Sequence, residues 1–159
     1  MRFLSLPLRY MASGAVVVLL ALIQPSLALA TAATFTFPIS RVDTNPCTGE
    51  TIPVTGTLHV DVVTNASTSG NFLVHESDKE SVTGTALQTG ASYVGETEAV
   101  FDYTVAAGST YTHDLTVLMI RQGETLPADD YYVHTLMHMT VDANGVPTAT
   151  VDNPTLTCR

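Results

Sequence analysis

The stretch Ser92–Val105 (S-Y-V-G-E-T-E-A-V-F-D-Y-T-V) decides the fold. One face of a two-residue alternation carries Tyr93, Gly95, Thr97, Ala99, Phe101, Tyr103 and Val105. The other carries Val94, Glu96, Glu98, Val100, Asp102 and Thr104. A strand sends successive side chains to opposite faces, so aromatics on one side and carboxylates on the other describe a sheet with one buried and one wet face. A one-residue slip would bury three carboxylates, which sets the register. The pattern predicts that Phe101→Ala costs about 3–5 kcal/mol and Glu98→Ala well under ~1 kcal/mol.

The same alternation recurs outward in both directions. Val54–Val63 sets Val54, Leu58, Val60 and Val62 against Thr55, Thr57, His59 and Asp61. Tyr111–Arg121 groups Tyr111, Leu115, Val117 and Met119, and Tyr131–Val141 groups Val133, Met137, Met139 and Val141. Weaker strand signals lie at Thr34–Ser40, Asn71–Ser77, Val82–Leu87 and Val146–Asp152. Turn residues separate them at Asn65–Gly70, Thr89-Gly90, Ala106–Gly108, Gly123–Asp130 and Asp142–Gly145. In the last, Asp at the start and Asn-Gly at the end suit a type I turn followed by a left-handed residue. No stretch shows a helical period. The expectation is an all-β domain, an antiparallel meander of about eight strands that closes as an up-and-down barrel or splits into a sandwich.

The two cysteines favour the barrel. Cys47 and Cys158 stand near opposite ends of the β-rich region, and pairing them would close a loop of about 110 residues, worth roughly 4–5 kcal/mol on the chain-entropy model. Such a bond would bring early and late strands together and remove the open sheet edges that invite aggregation.

The N-terminus sets the compartment. Arg2 and Arg9 precede an apolar run from Met11 to Ile23, then Gln24, Pro25 and Ser26 break it and Ala28-Leu29-Ala30 follows. This is the order of a cleaved secretory signal over residues 1–30, and a run of 13 residues is too short for the roughly twenty that span a bilayer. No cysteine follows the small residues to take a lipid, and Leu156-Thr157-Cys158-Arg159 is no apolar tail. The expected product is a soluble, secreted single domain over 31–159. There, four basic residues (Arg41, Lys79, Arg121, Arg159) face 15 acidic ones, a formal charge of −11. Phosphate binding needs clustered Lys and Arg, so nucleic acid and anionic membranes are excluded as partners.

Several short motifs carry a resemblance. Asn45-Pro46-Cys47-Thr48-Gly49-Glu50, Val54-Thr55-Gly56-Thr57-Leu58-His59-Val60, Gly84-Thr85 with Thr89-Gly90-Ala91-Ser92-Tyr93, His138–Gly145 and the terminal Cys158-Arg159 together resemble a group of short, exported, β-rich bacterial proteins. The likeness spans Asn45 to Arg159. It implies export and a cysteine pair, and it brings no activity and no site.

Candidate chemistry is sparse. His134 and His138 have H-x-x-x-H spacing, but four residues of strand span about 13 Å, too far for two ligands of one ion at about 2.1 Å. His59 and Asp61 sit two apart on a wet face without a nucleophile elbow. Glu76, Asp78 and Glu80 have the spacing of a calcium loop but lack its glycine and distal glutamate, and Lys79 among them points to a solvated hairpin rim. No phosphate-cradling or dinucleotide motif occurs, so no cofactor, metal or catalytic residue is expected. The polar groups on otherwise apolar faces are Tyr93, Tyr103, Tyr111 and His113. These four are the candidate ligand-binding residues, with His113 placed opposite His138 if 109–122 and 131–141 form a hairpin in one register. Mutual pairing would make them structural; an unpaired arrangement round a void would make them a site. The expected function is non-enzymatic binding of a small ligand or a cell-surface partner. A cofactor-free barrel enzyme of cyclase or isomerase kind and a structural envelope protein are the alternatives.

Overall fold

The computed structural model describes residues 30–123 and 129–159, so the leader expected at 1–30 and the middle of the 123–130 turn lie almost wholly outside it. The described residues form β1 (Ala30–Thr44), β2 (Thr51–Ala66), β3 (Asn71–Thr85), β4 (Ser92–Ala106), β5 (Thr110–Arg121), β6 (Tyr131–Val141), β7 (Pro147–Val151) and β8 (Thr155–Cys158). All pair antiparallel in one meander, β1 through β7 in sequence order, with β8 added to the same edge of β6 as β7. The sheet is curled almost into a barrel.

The strand count agrees with the sequence, but its make-up differs. Asn71–Ser77 and Val82–Leu87, read above as two strands around a rim, are one strand, β3. It pairs without a break from Asn71↔Ala106 to Thr85↔Ser92. The missing eighth strand is β8, four residues that pair with Tyr131–His134. Glu76 to Ser81 is polar on both faces, so no alternation marks it as strand.

Two seams interrupt the wall. Among the described residues no ladder joins β1 to β7 or β8, and β4 meets β5 only at Tyr93↔Arg121, Val94↔Ile120 and Gly95↔Met119. Beyond Gly95 side chains close the β4–β5 seam instead of hydrogen bonds. The Tyr103 and Tyr111 rings stack at 3.9 Å, and Phe101 lies over the His113 ring at 4.0 Å. Phe101 and Tyr103 therefore face inward as expected but stay half-buried, while Glu96, Glu98 and Asp102 are exposed. The disulfide Cys47–Cys158, with Cα atoms 5.1 Å apart, ties the β1–β2 turn to β8 across the other seam.

The core falls into two apolar halves. One gathers Leu58, Val60, Val62, Val74, Leu115 and Met137 with their neighbours, the other Ile52, Val54, Val82, Tyr93, Val117 and Val133 with theirs. On β2 the change-over falls at Gly56, on β6 at Thr135, and on β3 across Glu76, Asp78 and Glu80. Gly56 is required by close approach, since a Cβ there would lie 2.1 Å from the Ser81 carbonyl oxygen. The 142–145 turn is as read: Asp142 Oδ1 accepts from the Asn144 and Val146 amides, and Gly145 takes φ 81°.

Candidate functional site

β3 places the carboxylates of Glu76, Asp78 and Glu80 on the inner face because its ladders to β2 and β4 run unbroken through them. They are not a solvated rim: Glu76 and Asp78 are 0% exposed and Glu80 1%. A strand that buries Phe72, Val74 and Val82 at even positions must carry 76, 78 and 80 inward too. Neighbouring strands supply what the acids need. The Tyr103 hydroxyl donates to Glu76 Oε2 at 2.6 Å, and His113 Nε2 lies 3.0 Å from Asp78 Oδ2 and 3.7 Å from Glu76 Oε1. Burial pushes the Glu76 carboxyl above its ordinary range, opposed by the Tyr103 hydrogen bond and reinforced by the charge of Asp78.

Glu80 belongs to a second network. Arg41 Nε donates to Asp43 Oδ1 at 2.9 Å, and its Nη1 stands 3.9 Å from Glu80 Oε1, an ion pair too long for a hydrogen bond. The Tyr131 hydroxyl donates to Asp43 Oδ2. Burial raises Glu80 also, against the opposing charge of Arg41. Burial and the neighbouring Asp43 carboxylate push the Tyr131 hydroxyl well up. Among the described residues, Arg41 Nη2 and Glu80 Oε1 are buried without a hydrogen-bond partner.

These two side chains line a pocket of about 150 Å³ at the unpaired seam between β1 and the β7–β8 edge. Its apolar walls are Phe37, Ile39, Leu58 and Val151. Pro38, Ser40, Thr135 and the 152–154 bend complete the lining. The bend exists because Pro154 lacks an amide hydrogen and interrupts the edge between β7 and β8.

The four residues singled out from sequence do not share one void. Tyr93 is buried at the disulfide end, its hydroxyl donating to Glu50 Oε2 at 2.6 Å and accepting from the Asn45 side chain. Burial opposes ionisation of Glu50, but hydrogen bonds from Thr89 and Tyr93 and the charge of Arg121 hold its carboxyl below the ordinary value. Tyr103, Tyr111 and His113 meet at the β4–β5 seam. Tyr103 and His113 pair with carboxylates rather than with each other, and Tyr111 contributes its ring. His113 stands opposite Met137, and Thr112 takes the place facing His138, so the expected His113–His138 pair is one residue out of register. His138 and His134 face outward and bond Thr112 with Asp152, and Thr116 with Thr157. His59 and Asp61 bond Thr36 and Thr34 across the β1–β2 ladder, as a wet face would.

Sequence reasoning missed Arg41, Glu76, Asp78 and Glu80 as interior groups. The available signal was β3's even spacing with Phe72, Val74 and Val82, had the strand been carried through its polar middle. Comparison of the chain with protein-family models, curated proteins and solved structures finds no match.

Proposed function

We propose that this chain is an exported β-barrel domain that binds a compact ligand, without chemistry, in the pocket between β1 and the β7–β8 edge. One observation carries the reading. The pocket combines apolar walls with Arg41 and Glu80, whose Nη2 and Oε1 are buried without a hydrogen-bond partner among the described residues. A buried donor or acceptor without a partner costs about 1–3 kcal/mol, which a ligand offering one acceptor and one donor would recover. A volume near 150 Å³ suits a body about the size of one ring. The ligand class is therefore a small amide or amino acid with an apolar portion. Export is supported by the signal-like order of residues 1–30, and the disulfide is compatible with an oxidising compartment.

Thermal denaturation against a panel of small amides and hydrophobic amino acids tests the reading. A compound at 100 times its dissociation constant should add about 2.7 kcal/mol to the wild type. It should add nothing to Val151→Trp, which fills the pocket. If no compound stabilises the wild type, or one stabilises both proteins equally, the pocket is not the binding site.

A further inference from the structure

We propose that Glu76, Asp78 and His113 form a buried site for one first-row divalent transition-metal ion of the zinc class, separate from the seam pocket. One donor atom from each residue lies within 4.8 Å of the others, and all three residues are buried. The imidazole Nε2 is 3.0 Å from Asp78 Oδ2 and 3.7 Å from Glu76 Oε1. Ligand atoms bound to zinc at about 2.0–2.2 Å stand roughly 3–3.5 Å apart round a tetrahedron, so the three donors need only small shifts to share one ion.

An unmet valence points the same way. Glu76 Oε1, one of the three donors that would meet at the ion, is buried and has no hydrogen-bond partner among the described residues. Two carboxylates fully withdrawn from water beside a single imidazole are costly to keep ionised. A divalent cation between the donors would offset that cost. The surroundings also hold the ligands in place. Tyr103 donates to Glu76 Oε2 and thereby turns the carboxylate so that Oε1 faces the imidazole, while the Phe101 ring lies over the His113 ring. Supports of this kind orient first ligands in metal sites.

The donor set selects the ion. One imidazole and two carboxylates without sulfur suit zinc, cobalt or manganese rather than copper(I). Three protein donors are too few for calcium, which takes six to eight oxygens. On binding, any protons held at Nε2 or on the two carboxyl groups leave to solvent, the neutral ring carries its hydrogen on Nδ1, and the cation takes the position between the donors. Three protein ligands leave a coordination position for water or a further ligand.

The test titrates the metal-free folded protein with zinc chloride and cobalt chloride, followed by calorimetry, cobalt absorption and imidazole NMR. One equivalent should bind, cobalt should give visible bands of a four- or five-coordinate site, and the His113 ring signals should shift at that equivalent. Glu76→Gln, which keeps shape and removes charge, should weaken binding by about a hundredfold. The double variant His134→Ala/His138→Ala, altered only on the outer face, should bind as the wild type does. Should Glu76→Gln fail to fold, the His113 signals of the wild type decide alone. Absence of binding at 100 times the protein concentration would overturn the proposal. So would shifts confined to His134, His138, His75 or His59, or unchanged affinity in folded Glu76→Gln.

Discussion

Leu58 and Phe101 both face the barrel interior, yet truncating them should cost different amounts. Leu58 is 2% exposed on β2, flanked by β1 and β3, so Leu58→Ala should lose about 3–4 kcal/mol in urea unfolding. Phe101 is half-buried at a seam without a backbone ladder, and its loss should be nearer 1–2 kcal/mol, below the 3–5 that alternation alone predicts. Glu98→Ala, on the exposed face, should stay within about 0.5 kcal/mol. Equal losses at Leu58 and Phe101 would mean that the β4–β5 seam is sealed in solution. Glu50 carries the clearest pH dependence. Its folded-state pKa lies below the ordinary 4.5, so ionised Glu50 stabilises the fold above that value. This contribution is lost as pH falls through the folded value. Glu50→Gln should lower stability at neutral pH by about 1–3 kcal/mol and flatten the acid limb of the stability profile below pH 4.5. An unchanged acid limb would place the titrating group elsewhere.

At the scale of elements, β2 and β3 approach so closely at Gly56 that a methyl group cannot enter without moving backbone. Gly56→Ala should therefore destabilise by about 3 kcal/mol or more, although alanine is the better strand residue by propensity. A neutral result would show that β2 can shift away from Ser81 at little cost. β4 offers a second test by hydrogen exchange. Beyond Gly95 the amides of β4 that point at β3 sit in a continuous ladder, whereas those directed at β5 face the open seam. Alternating residues of Glu96–Val105 should be protected and labile in turn. Uniform protection along β4 would require a ladder to β5.

For the molecule as a whole, the disulfide joins the β1–β2 turn to the end of β8 across 111 residues. Replacing both cysteines by alanine should cost about 4 kcal/mol, mostly by freeing the unfolded chain. It should also loosen the β7–β8 edge, where four-residue β8 depends on its ladder to β6. A loss under ~1 kcal/mol would mean that the two edges hold each other without the bond.

Much of the architecture was legible because alternation is local: a strand with one wet face must display it every second residue, and β2, β4, β5 and β6 do so without help from elsewhere. The turn at 142–145 was readable for the same reason, its Asp and Gly acting within four residues. Pairing of Cys47 with Cys158 followed from there being two cysteines near opposite ends of the β-rich region. The interior acids were not legible. Whether a carboxylate on β3 faces solvent or core depends on partners that meet it only after the sheet has curled. Glu76 relies on Tyr103, 27 residues on, Asp78 on His113, 35 residues on, and Glu80 on Arg41 from β1. Tertiary structure alone decided the seam pocket too, since its walls are drawn from β1, β2, β3, β6 and β7, residues far apart along the chain. The sequence by itself determined which faces alternate. Closure of the sheet decided which polar residues could be buried, because only then did distant donors and charges arrive to offset the loss of water.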